Sequence, residues 1–304
     1  TVWQQSIPLK MIRYTPDSGK TIETFPDLPE NLYAALVKSA KAFPQKNAFI
    51  DNYGRIYTFS DFKSKVDLFA GYLKHNIGVT RGNHVAIMFY NSIEFCVAFL
   101  ALIKLGAVTV PMPTKFKQAE ILSLLKHSDI DHIICDEHFH TWFSDYENSG
   151  ITVISAPDTE AGYAFTAYEA PEYTDEKCDS TSGEQALLMF TSGTTSQSKG
   201  VIIKNYSIMH AVKAYQLLLG ITEKDISVIA TPIYHVTGLI ALLGLFIYTG
   251  GTLYLHKFFD ARRVLDCVKK NGITFIHASP TVFSMLLSES SHVPELPSLK
   301  SLAC

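Results

Sequence analysis

The chain has no pair of cysteines spaced for a metal knuckle, no surplus of basic residues and no apolar run long enough to cross a bilayer. Its five cysteines, Cys96, Cys135, Cys178, Cys267 and Cys304, are odd in number and scattered. That excludes a disulfide framework or a zinc ribbon and fits a reducing compartment, so a cytoplasmic location is expected. A formal net charge of −3 gives no electrostatic basis for a general nucleic-acid or anionic-membrane surface. The most apolar stretches, Ile93–Leu105 and Gly238–Tyr248, read as buried helices: they fall short of the roughly 18–20 residues a span requires, and the first carries Glu94 and Lys104. The N-terminus, TVWQQSIPLK, lacks the long apolar core of a secretory signal. No G-x-S-x-G occurs, which leaves a serine-hydrolase elbow unsupported. No internal repeat is evident either.

What is present is a rather apolar globular chain, 47% hydrophobic and 18% charged, long enough for roughly two domains of about 150 residues. Residues 1–29 hold four prolines and read as an irregular lead-in. Asn31 is placed to cap a helix that Pro44 closes, and NAFID and RIYTF flank Asn52-Tyr53-Gly54 as a hairpin. Ser60 is read as the cap of the next helix. His84–Phe89 reads as a strand, Ser92 to Gly106 as a capped helix, and AVTVP as the next strand. The same alternation recurs through HIICD, ITVIS, a helix from about Ser207 to Leu219, ITFIH and a helix begun by Ser279-Pro280. Residues 156–185 are acidic, Tyr-rich and aperiodic and read as a surface connection. Strands alternating with helices of this length imply βαβ units, so the fold class is α/β with enough strands for two sheets. A further strand starting at Leu299 just before Cys304 suggests a piece of a longer protein.

One stretch stands apart. Ala186–Phe190 has the make-up of a buried strand, and nine small or polar residues follow, Thr191 to Lys199, closed by Gly200 and a second apolar run from Val201. Both flanks read as buried. Packing does not call for a row of hydroxyls ending in a lysine, whereas an anion site does: freed backbone N–H groups, hydroxyl donors and one ammonium cradle phosphate. The Walker pattern fails, because Ser198 stands where its second glycine belongs and Gly200 where its metal-binding hydroxyl belongs. The dinucleotide pattern G-x-G-x-x-G is absent.

The stretch Phe190-Thr191-Ser192-Gly193-Thr194-Thr195, with Lys199-Gly200, resembles the phosphate loop of the adenylate-forming superfamily, [YF]-T-S-G-T-T-G-x-P-K-G. Ser196 and Ser198 depart from it, replacing a glycine and a proline. Ala101 to Pro111 resembles the family's A-x-x-K-x-G-A-x-x-V-P helix-to-strand signature. Thr231 to Gly238, TPIYHVTG, resembles the P-[LI]-[FY]-H-x-x-G segment of its acyl- and aryl-CoA ligases.

The resemblance implies the large N-terminal domain of such an enzyme: two stacked αβα-type sheets, cut before the β-barrel part and the small C-terminal domain. Residues 63–220 would build one sheet's layer, and 30–62 with 227–304 the other, still incomplete. It implies activation of a fatty or aryl acid by ATP with Mg²⁺ to an acyl-adenylate, release of pyrophosphate, and transfer to coenzyme A. By the same resemblance Thr191, Ser192, Gly193, Thr194, Thr195, Ser196 and Lys199 bind the β- and γ-phosphates, with Thr194 near the metal. His235 lines the acyl pocket beside the reacting carboxylate, with Tyr234, Thr237 and Gly238 as further pocket residues. Lys199 and His235 are the expected catalytic groups. Amino-acid-activating members carry an aspartate where His235 stands, and no acidic residue occurs between Asp225 and Asp260. A substrate ammonium would be desolvated without a partner there. The alternatives are a ligase or adenylation domain loading a carrier protein and a catalytically silent nucleotide-binding relative. A homodimer is compatible with the family, and the 304 residues alone are expected to be inactive. Asp136, Glu137, His138 and His140 have no recognised ligand spacing and read as a solvated loop. His277 and Ser279 end a strand and cap a helix next to the expected pocket.

Overall fold

The computed structural model describes residues 10–16, 19–157, 159–169, 177–191, 199–289, 291 and 295–304. The chain runs through β1 (Ile12–Tyr14), β2 (Ile22–Thr24), α1 (Leu32–Ala42), β3 (Asn47–Ile50), β4 (Ile56–Thr58) and α2 (Phe59–Tyr72). Then come β5 (His84–Met88), α3 (Ile93–Leu105), β6 (Val108–Pro111), α4 (Gln118–Leu125), β7 (His132–Asp136), α5 (Ser144–Asn148) and β8 (Thr152–Ala156). A hairpin of β9 (Gln185–Thr191) and β10 (Lys199–Lys204) leads into α6 (Asn205–Leu219). The remainder is β11 (Ile226–Ile229), a π-helical segment (Thr237–Gly244), α7 (Leu245–Thr249), β12 (Thr252–Leu255), α8 (Ala261–Asn271), β13 (Phe275–His277), α9 (Pro280–Ser288) and β14 (Ser301–Ala303).

Two six-stranded sheets result, in the orders β10-β9-β6-β5-β7-β8 and β14-β13-β11-β12-β3-β4. Neighbours are parallel except at one edge of each, where the hairpins β9–β10 and β3–β4 are antiparallel. The first sheet draws its strands from residues 84–204, the second from 47–58 and 226–303.

The strands sort their side chains by parity, as a period of two requires. Val85 and Ile87 of β5 point into a core shared by both sheets, while Ala86 and Met88 pack on α4 at the outer face. Ile229 and Phe275 join the shared core, while Val228 and Ile276 meet α8 and α9 outside. Between the sheets lies a helical layer in which all thirteen residues of α3 are buried. Full burial of each large apolar side chain there is worth about 1.5–3 kcal/mol. The stack is therefore helix, sheet, helix, sheet, helix.

Local chemistry sets the helix ends. The Ser92 hydroxyl accepts from the Phe95 N–H, and Gly106 closes α3 at φ 70°. Asn31 and Asp260 cap α1 and α8. For α2 the cap is Thr58, not Ser60: Thr58 and Asp61 form a reciprocal capping box that satisfies two orphan amides, which Ser60 within the helix does not supply.

Four other expectations are revised. The lead-in contains the antiparallel hairpin β1–β2. Within 156–185, Phe165 is fully buried and stacks on Phe69 at 4.0 Å, because α2 leaves an aromatic surface that the connection covers. The helix expected at Gly238–Tyr248 begins as a π-helical segment. Strand β10 is largely exposed, with Val201 and Ile202 facing solvent, because the hairpin puts it at the sheet's edge. No described helix is long and apolar enough to cross a membrane.

Candidate active-site crevice

Ligands gather at the carboxyl ends of parallel strands, where the strand order leaves a crevice. Three such ends converge here. Strand β6 delivers Pro111 and the following turn to Lys115 and Phe116, β9 delivers Met189 and Phe190, and β11 leads into Tyr234 and His235. Together with the edge strand β10 they enclose a cavity of about 460 Å³. Its walls are mostly apolar, and the exposed Lys115 ammonium belongs to its rim.

Thr191 and Lys199 pair directly across the β9–β10 ladder, next to Phe190 and two residues before Val201, which line the cavity. Ser192, Gly193, Thr194, Thr195 and Ser196, which the sequence assigns to phosphate and, for Thr194, to metal, lie outside the described residues, as does the departing Ser198. Of the loop's expected groups only Lys199 is fully placed, exposed at the start of β10. Among the described residues no group of three His, Cys, Asp or Glu side chains could hold a metal.

Tyr234 is buried in the cavity wall. Burial pushes its phenol up, opposed by the polar groups of the Thr114 side chain and the Lys115 backbone. His235 is exposed to the cavity. Its backbone N–H donates to the Pro232 carbonyl at 3.1 Å and its Nδ1 accepts from the Thr237 N–H at 3.4 Å. With Nδ1 an acceptor, the neutral ring carries its proton on Nε2, the atom left to donate. That arrangement suits a neutral hydrogen-bond donor to a carboxylate.

Thr237 and Gly238 are not among the cavity's walls. Gly238 is buried, and its part is different: a Cβ there would stand 2.8 Å from the Ile233 Cα and 2.8 Å from the Pro232 carbonyl oxygen. Both are main-chain atoms that cannot swing aside. The glycine of the TPIYHVTG segment therefore lets the π-helical segment fold back onto the turn that carries His235.

Sequence reading missed Asn91, in the turn between β5 and α3. Its side chain is buried and grips the second sheet. Nδ2 donates to the carbonyls of Thr231 at 2.9 Å and His256 at 3.0 Å, with Ile229 at 3.4 Å, and Oδ1 accepts from the Ile233 N–H at 2.8 Å. Nothing in its neighbourhood of sequence signals this, since its partners lie 138 to 165 residues away.

The lysine of the helix-to-strand signature, Lys104, is 1% exposed and serves packing, not the crevice. Its ammonium binds Asp67 at 2.9 Å and sits 5.1 Å over the Tyr33 ring. Asp67 also accepts from Tyr33 at 2.6 Å and pairs with Lys63 at 2.6 Å. Burial, then the bond to Asp67, push the Tyr33 phenol far above its ordinary range. His277 stands edge-on to Tyr215 and Phe275, and burial pulls its pKa down. Asp136 caps the turn at His138, and His140 pairs with Glu147 at 3.0 Å.

A family model described as AMP-binding enzyme matches residues 36–304. A 2-succinylbenzoate–CoA ligase of Bacillus velezensis is 30% identical over 260 residues, which is 86% of this chain and 51% of that enzyme. The chain thus spans about half the length of the curated relatives it matches. The N-terminal domain of FACL13 from Mycobacterium tuberculosis superposes with a TM-score of 0.80 at 22% identity, over 90% of this chain and 69% of that one. The o-succinylbenzoate CoA synthetase from Bacillus subtilis, in complex with the acyl-adenylate intermediate OSB-AMP, superposes with a TM-score of 0.73 at 27% identity, over 88% of this chain and 67% of that one. A model match of that extent, over a crevice built from the same three motifs, places the chain in the AMP-binding enzyme family.

Proposed function

We propose that the protein carrying this chain joins a carboxylic acid to the α-phosphate of ATP and then passes the acyl group to coenzyme A. The observation that carries the reading is the cavity itself: Phe190, which leads into the phosphate stretch, and the Tyr234–His235 turn line one crevice. In the first step a carboxylate oxygen attacks the α-phosphorus and the bond to the β-phosphate breaks, releasing pyrophosphate. In the second a thiolate attacks the acyl carbonyl and AMP leaves.

An anion attacking a polyanion needs neutralisation and alignment more than covalent help. In this reading Lys199 supplies a positive charge for the departing pyrophosphate, and the hydroxyls of Thr191, Ser192, Thr194, Thr195 and Ser196 with the Gly193 backbone supply donors. His235 Nε2–H faces the carboxylate. Mg²⁺ would neutralise phosphate charge, held chiefly by phosphate and water oxygens, with Thr194 as the protein hydroxyl that would contribute. Apolar walls and the lack of any acidic residue from Ile226 to Phe259 favour a fatty or aryl acid over an amino acid. The five free cysteines favour the cytosol.

The test is ATP–pyrophosphate exchange by the full-length protein across fatty, aryl and amino acids. Exchange with fatty or aryl acids is expected. Exchange with amino acids alone would overturn the pocket assignment, and ATP binding without exchange for any acid would make this a silent relative.

A further inference from the structure

The turn that carries Tyr234 and His235 belongs to the second sheet, yet its position is set from the first. Asn91 projects from the end of β5 and spends its whole amide on the main chain of Ile229, Thr231, Ile233 and His256. These groups lie at or just beyond the carboxyl ends of β11 and β12. Among the described residues, no hydrogen bond of that side chain goes to its own sheet. On the far side of the turn, Tyr234 lines the same cavity as Lys115, just past the end of β6. Strands β5 and β6 are neighbours in the first sheet. The Thr231–Val236 turn is therefore tied by Asn91 to the central strands of the first sheet.

We propose that Asn91 is a positioning residue for His235: it fixes the Thr231–Ile233 main chain so that the imidazole meets the acid's carboxylate at the cavity. The proposal rests on the reading of that cavity as the acid-activation site. An asparagine is suited to the task because it is both donor and acceptor, and the turn presents carbonyls and one N–H at once. The substitution Asn91→Asp would keep the acceptor for the Ile233 N–H and turn a carboxylate toward three carbonyl oxygens. Alanine would leave Ile233 N–H and the carbonyls short of partners in a buried place.

The experiment is a double-mutant cycle in the full-length protein, read by acid-dependent ATP–pyrophosphate exchange. Asn91→Ala is expected to lower kcat by about tenfold, the factor that one lost buried hydrogen bond of about 1.4 kcal/mol produces. The KM for ATP stays unchanged. Asn91→Asp falls at least as far. In a His235→Ala background Asn91→Ala costs little more, because the group it positions is already gone. Losses that multiply independently, an ATP KM that rises with the acid KM, or a wild-type-like Asn91→Asp would each overturn the proposal. Hydrogen exchange read by mass spectrometry supplies a measure that needs no activity. Peptides covering 230–238 exchange faster in Asn91→Ala while β5, β11 and β12 keep their protection. An unchanged segment, or both sheets loosening alike, would count against Asn91. A wild-type protein that shows no exchange with any acid sinks the proposed function instead, and the hydrogen-exchange result still decides the role of Asn91.

Discussion

The buried ion cluster predicts an asymmetry between its two principal charges. Among the described residues Lys104 has one anionic partner, Asp67, whereas Asp67 has Lys104, Lys63 and the Tyr33 hydroxyl. Replacing Asp67 by asparagine strands an ammonium that is 1% exposed, with a neutral amide and the Tyr33 ring beside it. Breaking a buried pair from one side costs about 3–5 kcal/mol, because the remaining charge stays desolvated. Lys104→Met leaves Asp67 with Lys63 and Tyr33 in place, and its cost is that of one lost charge-assisted bond, about 1–3 kcal/mol. Removing both at once, as Asp67→Asn with Lys104→Met, takes away the charges with the desolvation they entail. Lys63, about a third exposed, can then turn to water. The double variant should therefore cost less than the sum of the single ones. Urea unfolding followed by circular dichroism gives each value as midpoint times slope. A Lys104→Met variant less stable than Asp67→Asn, or strict additivity, would refute this account of why the signature carries a lysine.

Gly238→Ala is expected to abolish acid-dependent exchange and to destabilise by about 1–3 kcal/mol, since the added methyl meets main-chain atoms of Pro232 and Ile233. Wild-type activity in that variant would rule out the close approach. Lys199→Ala should raise the ATP KM about tenfold to a hundredfold, the worth of a charge-assisted phosphate contact, with the melting temperature unchanged. His132, His256 and His277 all have pKa values pulled down, in each case first by burial. The unfolded chain then takes up protons below about pH 6.5 that the fold refuses. Stability is complete above that value and falls as pH drops from there through the folded-state values. Unfolding midpoints measured from about pH 7.5 to about pH 5 should show it, and His277→Phe should flatten the slope. A steeper slope in that variant would contradict the sign.

Sequence reading reached the elements whose cause is local. The Ser92 cap and the Gly106 stop are short-range chemistry, and the alternation of strands with helices supplies enough strands for two sheets. The Thr191–Gly200 stretch stands out in the sequence because hydroxyls and a lysine have no packing reason to be there. It failed where the cause is distant. Val201-Ile202 has the composition of a buried strand, and only the hairpin pairing with β9 leaves it at an exposed edge. Phe165 sits in an acidic, aperiodic segment and is buried because α2 offers Phe69 as a stacking partner. Lys104 could be read as part of a signature but not as the partner of Asp67, 37 residues earlier. Asn91 looked like the residue before a cap. A cross-sheet clamp has no periodicity and no motif to announce it.

The helical layer between the sheets has a mechanical consequence. Side chains from β5 and β9 and from β11, β12 and β13 interlock with α1, α2 and α3 in one continuous core. Close-packed interiors of this kind transmit strain and do not slide by degrees. Shearing one sheet against the other would break that packing along its whole length. The two sheets therefore form a single mechanical block.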